Sequence, residues 1–182
     1  LIGRVESPAA RRGFDQLAGA FLYADISGFT GMTEKLDRSD EGGGEAVTEA
    51  VNRCFALPID IIEAHGGGIL RFGGDALVAY FDEALVDAAP QAAAAARGIV
   101  AAIRALPVTR IGADEFKFDA KIGLHAGCVS ALCFPVGPDH PEFFYAGPAL
   151  AALAGAESAA RPGEIMATPG FLGRLAPARV GG

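Results

Sequence analysis

Apolar residues recur along this chain in two distinct periods, and the periods divide it into elements. Phe21, Leu22 and Tyr23 run into Ala24, Asp25 and Ile26 before Ser27 and Gly28 interrupt them, which predicts a first central strand. Residues 69 to 81 read ILRFGGDALVAYF. Two apolar runs flank Gly73-Gly74 there, predicting a hairpin closed by a two-residue glycine turn. Between these strands, Val47, Val51, Phe55, Ile59 and Ile62 recur every three or four positions. That spacing predicts an amphipathic helix from Glu45 to His65, ended by Gly66-Gly67-Gly68 and open to a kink at Pro58. Thr30 to Leu36 reads as a short helix, and the polar, glycine-rich stretch 38 to 44 as a mobile loop.

The second half repeats the alternation. Asp87 is placed to cap a helix that begins near Pro90 and runs through an alanine-rich stretch to Leu106. Residues 107 to 114 read as a loop, Phe116 to His125 and Gly127 to Phe134 as two partner strands, and 135 to 142 as a Pro/Gly loop. Phe143 to Ala146 predicts a short strand, Ala149 to Ala160 a small-residue helix, Glu164 to Ala167 a strand, and Pro169 the start of a last short helix. Residues 1 to 18 read as an N-terminal arm, leaving 19 to 182 as one domain. The order β-α-β-β-α-β predicts an α/β (α+β) ferredoxin-like fold, a mixed, mainly antiparallel sheet with helices packed mainly on one face.

Two carboxylates stand out against this pattern. Asp25 lies at the end of an apolar strand, and Asp75 lies beside the predicted hairpin turn, where it cannot sink into the core. If the strands are neighbours, the two carboxylates converge, and paired carboxylates without an intervening His or Lys suit hard divalent cations. On spacing alone, a turn-forming or helix-capping role is the commoner one for such an aspartate and ranks above a metal site.

Composition narrows the rest. At 182 residues the chain is long enough for one domain with a sizeable core. It is 51% hydrophobic, yet no apolar run is long enough for a membrane helix, and no signal-peptide pattern opens it. A start at Leu1 reads as a fragment or processed form. The net charge of −7 argues against a nucleic-acid surface. Cys54, Cys128 and Cys133 make no metal or disulfide framework, which suits a reducing cytosol, so a cytoplasmic location is expected. Cys128 and Cys133 read as small buried side chains, and His125 as a structural histidine in a strand.

ADISGFTGMTEKL, then GGGILRFGGDALVAYF about fifty residues on, then KIGLHAG, then PGEIMATP, stand in one order along the chain. Together these motifs resemble the catalytic domain of a class III nucleotidyl cyclase, and in particular the first of the two catalytic domains of the soluble, bicarbonate-responsive adenylyl cyclases. The resemblance covers roughly residues 19 to 172. It implies two Mg2+ or Mn2+ ions on Asp25 and Asp75, with the Ile26 carbonyl as a further ligand, and conversion of ATP, with GTP also possible, to the cyclic monophosphate and pyrophosphate. Ser27-Gly28-Phe29-Thr30 would open a helix whose amides attract phosphate, while Phe29 also plugs the core. Arg71 stands where the family often has a purine-reading lysine, and a solvated strand charge reads it as well. Lys121 would reach the nucleotide phosphates, or be a strand-edge lysine.

The departure lies in GPALAALAGAE, residues 147 to 157. The family's transition-state asparagine and arginine would fall at Ala151 and Gly155, and neither can donate a side-chain hydrogen bond. The base-reading position falls at Phe144, and an arginine of the bicarbonate-responsive type at Ala154. The resemblance therefore implies the metal-binding half of a site that forms at a dimer interface, completed by a second cyclase domain in the same or another chain, or in a homodimer. The chain alone is expected to be inactive or very slow. A catalytically degenerate module that binds nucleotide or a partner domain for regulation is the alternative, and a diguanylate-cyclase-like reading ranks below it because the acidic-aromatic pair after GGD is missing.

Overall fold

The computed structural model describes residues 13–28, 32, 44–111, 114–135 and 141–175. Eight strands and four helices are described: β1 (Gly13–Ser27), α1 (Gly44–Ala64), β2 (Gly68–Gly73), β3 (Ala76–Asp82), α2 (Ala88–Arg104), β4 (Thr109–Ile111), β5 (Asp114–Phe116), β6 (Asp119–Pro135), β7 (Pro141–Ala146), α3 (Pro148–Ala159), β8 (Ile165–Ala167) and α4 (Pro169–Leu175). The main sheet runs in the order β2-β3-β1-β6-β7, with β8 added parallel to β6. All its other pairings are antiparallel. The expected βαββαβ order and mixed, mainly antiparallel sheet are therefore present.

The period-two alternation of β1 sends its residues to two different cores. Ala20, Leu22, Ala24 and Ile26 are buried against a core to which α1 contributes Cys54 and Ile62, α2 contributes Ile99 and Ile103, and α4 contributes Phe171. Phe21 faces the other way, into a smaller core with Tyr80, Val129, Ala149 and Leu153. Among the described residues, α3 is the helix that covers that second face. Pro58 lies inside α1 without ending it, and Pro90 falls in the first turn of α2, where a missing N–H removes no intrahelical bond.

Several boundaries depart from the sequence reading. β1 starts at Gly13, six residues inside the expected arm, because Gly13 to Ser27 pairs continuously with Cys133 to Asp119 of β6. For the same reason β6 is one 17-residue strand and not two partners. With β1 as a template along its whole length, Ala126 and Gly127 stay extended. The hairpin turn is shifted by one residue: Gly73 pairs with Ala76, so Gly74 and Asp75 form the turn, and Gly74 takes φ +67°. Part of the expected 107–114 loop is a small hairpin of β4 on β5, fastened by Arg110 to Glu115 at 2.7 Å. Asp87 precedes α2, but its side chain makes no capping bond. Cys128 is exposed, contrary to expectation, and Cys133 is half-buried. The predicted helix 30–36, apart from buried Met32, and the 38–44 loop, apart from Gly44, lie outside the described residues.

Candidate active site

The site forms where the C-terminal end of β1 meets the β2–β3 turn, the start of β6 and the end of α3. Asp25 is level with Ala76 of β3 on one side and with Lys121 of β6 on the other. Asp75 therefore sits one residue from Asp25's cross-strand partner. The Ile26 amide donates to the Asp75 carbonyl at 3.1 Å, tying the turn to the strand end. The antiparallel register thus brings Asp25, the Asp75 turn and the Ile26 backbone to one end of the sheet, but, contrary to the expectation of carboxylates without an intervening lysine, Lys121 stands on Asp25.

Lys121 also enters this cluster. Its ammonium lies 3.0 Å from Asp25 Oδ2 and 2.6 Å from Glu157 Oε1. The two hydrogen bonds, that to Glu157 first and that to Asp25 second, hold the Lys121 pKa well above the ordinary lysine value. Tyr23 stands one strand position back on the same side of β1. Its hydroxyl pKa is raised by burial, then by the charges of Glu157, Asp25 and Asp75, with Lys121 opposing them.

Glu157 is the member that sequence reading missed. It is only 6% exposed, the one charged side chain in the core among the described residues. It reaches this position because Ala149, Leu153 and Glu157, each four residues apart, form the buried face of α3. One signal was available: Glu157 is the single charged residue in the otherwise apolar helix PALAALAGAESA.

Arg71, on β2, is exposed and lines a cavity of about 310 Å³ with Tyr23, Leu70, Tyr145, Leu150 and Leu153. Tyr23 belongs both to this cavity and to the carboxylate cluster. Gly28 holds φ +99°, and a Cβ there would lie 2.7 Å from the Lys117 carbonyl, so the turn after β1 needs glycine. Phe29 and Thr30 lie outside the described residues. Ala151 and Gly155 are exposed on α3, as is Phe144 on β7. His125 Nδ1 lies 2.9 Å from Thr168 Oγ1, away from the cluster's named contacts.

The groups that the sequence reading offers to a metal, the Asp25 and Asp75 carboxylates and the Ile26 carbonyl, are all hard oxygens. Among the described residues no three or more His, Cys, Asp or Glu side chains are grouped to hold a metal ion. That set fits a cation that keeps water and takes substrate phosphates as its remaining ligands, which is how Mg2+ is usually bound.

No protein-family model matches the chain. Adenylate cyclase type 10 of Homo sapiens is 29% identical over 163 residues, 85% of this chain and 10% of that protein. The chain spans about a tenth of the length of the first curated relatives it matches. Among solved structures, a dimeric guanylyl cyclase domain from the fungus Blastocladiella emersonii superposes with a TM-score of 0.70 at 18% identity, covering 88% of this chain and 85% of that one. The catalytic core of a rhodopsin-guanylyl cyclase with converted specificity, in complex with ATPαS, gives a TM-score of 0.71 at 18% identity, covering 91% and 85%. The chain has the class III cyclase catalytic fold and an adenylyl cyclase as a sequence relative across most of its length.

Proposed function

We propose, for a chain with the fold and the relatives of the class III nucleotidyl cyclases, that it is the metal-binding half of an adenylyl cyclase site. The observation that carries this reading is the approach of Asp25, Asp75 and the Ile26 backbone at one sheet end, with Lys121 beside them. Mg2+ or Mn2+ bound there would activate the ribose 3′ hydroxyl and neutralise charge on the leaving pyrophosphate.

The chain's own residues would do the rest by positioning. Asp25, on β1, and Asp75, in the β2–β3 turn, would hold the cations, and the Ile26 amide bond to the Asp75 carbonyl ties that turn to the strand. Lys121 supplies a compact, fully protonated ammonium for the triphosphate. The Gly28 turn presents backbone to phosphate without a side chain in the way. Arg71, at the rim of the 310 Å³ cavity, can meet the base. An in-line displacement needs little more from this half than placement and electrostatics.

The other half is absent from these residues. Ala151, Gly155 and Phe144 offer no side-chain donor where the family pattern has its ribose, transition-state and base contacts. A second cyclase domain would bring them, in the same or another chain, and ATP is the preferred substrate because the curated relative is an adenylate cyclase. The expected location is the cytoplasm, and no helix among the described residues is long and apolar enough to cross a membrane.

The test measures cyclic AMP from Mn-ATP with this chain alone, with a separately expressed cyclase domain bearing the asparagine and arginine, and with Asp25→Ala in that mixture. Activity confined to the wild-type mixture supports the reading. Robust activity of the chain alone, or none in a mixture shown to associate, overturns it.

A further inference from the structure

Lys121 and a divalent cation ask for the same oxygen. Its ammonium stands 3.0 Å from Asp25 Oδ2, inside the space a cation on that carboxylate would occupy or directly face. Two like charges at such range repel strongly in a half-buried site. Yet Lys121 is also 2.6 Å from Glu157, whose side chain is only 8% exposed. A carboxylate buried to that degree is costly unless it is paired. Its only other side-chain hydrogen bond described is a long one, 3.4 Å from Ser158 Oγ. The backbone of Glu157 in turn packs against Gly123 of β6, which brings its carboxylate down to the sheet beside Lys121.

Resting on the assignment of Asp25 to metal, we infer that Glu157 is a positioning residue: it is the alternate seat onto which Lys121 withdraws when a cation takes Asp25. Asp25 is then masked by its own lysine in the metal-free chain. The lysine leaves without losing a carboxylate partner, and it stays one pivot away from the triphosphate that arrives with the metal. Without Glu157, metal binding would strand the ammonium beside a divalent cation, and Lys121 would instead remain on Asp25.

The experiment titrates the folded chain with Mn2+ alone, reading free Mn2+ by electron paramagnetic resonance, in wild type, Asp25→Asn, Glu157→Gln and the double variant Lys121→Met/Glu157→Gln. Thermal unfolding checks each fold, and the double variant removes both charges together so that no buried carboxylate is left unpaired. Glu157→Gln should weaken Asp25-dependent binding about tenfold, the scale of one charge-assisted hydrogen bond. The double variant should return to wild-type affinity or tighter. In wild type, the Lys121 13Cε resonance, assigned by its absence in the double variant, should shift on adding Mg2+ and should not do so in Asp25→Asn. Binding that depends on Asp25 but is indifferent to Glu157→Gln overturns the inference and leaves the metal assignment standing. A double variant as weak as Glu157→Gln also overturns it, because Glu157 would then be a ligand itself. If wild type and Asp25→Asn bind alike, the metal assignment fails and the inference with it.

Discussion

The backbone of Gly123 in β6 lies directly against the backbone of Glu157 in α3. A Cβ on Gly123 would fall 2.9 Å from Glu157 Cα and 2.7 Å from the Leu153 carbonyl, and both are backbone atoms that cannot rotate away. Gly123→Ala should therefore push α3 off the sheet and lower stability by about 1–3 kcal/mol. Gly155, on the outer side of the same helix, has nothing within 4 Å of its Cβ position. Gly155→Ala should raise stability by about 0.5–1 kcal/mol through helix propensity. Urea unfolding of the two variants, read by circular dichroism, should give opposite signs.

Asp75 contributes to the fold through its carbonyl, which accepts from the Ile26 amide, and to the proposed chemistry through its carboxylate. Asp75→Asn keeps the first and removes the second. In the two-domain mixture it should reduce cyclic AMP formation about 10²-fold or more, as expected for a lost metal ligand worth several kcal/mol. Its melting temperature should match wild type.

His125 has its pKa held below the ordinary 6.5, first by burial and second by the Arg174 charge. Below 6.5 the unfolded chain takes up a proton that the native chain resists. The stabilisation is thus fully present above that value and is lost as pH falls through it toward the folded value. Thermal unfolding between about pH 7.5 and pH 5.5 should show a decline in stability that is shallower in His125→Gln.

Cys54 is buried, and burial pushes its thiol up to about 11, whereas Cys128 is exposed on β6. At neutral pH an alkylating reagent should modify Cys128 readily and Cys54 only after denaturation, as thiolate fraction and access both dictate. Peptide mapping by mass spectrometry of native and denatured samples reads this directly.

Much of the strand and helix inventory was legible because each element carries its own period. The spacing from Val47 to Ile62 and the two runs either side of Gly73-Gly74 are local signals, and the elements appear where those signals lie. The failures are also physical. The unbroken length of β6 is set by β1 alongside it, and three-residue strands such as β4 and β5 are too short to show a period.

By itself, the sequence marked Asp25 and Asp75 as candidate metal carboxylates, since one closes an apolar run and the other stands beside a glycine pair, and it excluded side-chain donation at Ala151 and Gly155 in any arrangement. Only the tertiary structure decided that Lys121 is shared between Asp25 and Glu157. That contact joins residues from three distant segments, and it exists because an antiparallel register sets Lys121 opposite Asp25 while Gly123 lets α3 lower its one carboxylate onto the sheet. Pairings of this kind depend on which strands are neighbours and how closely a helix can approach them, and neither is encoded in the period of any single element.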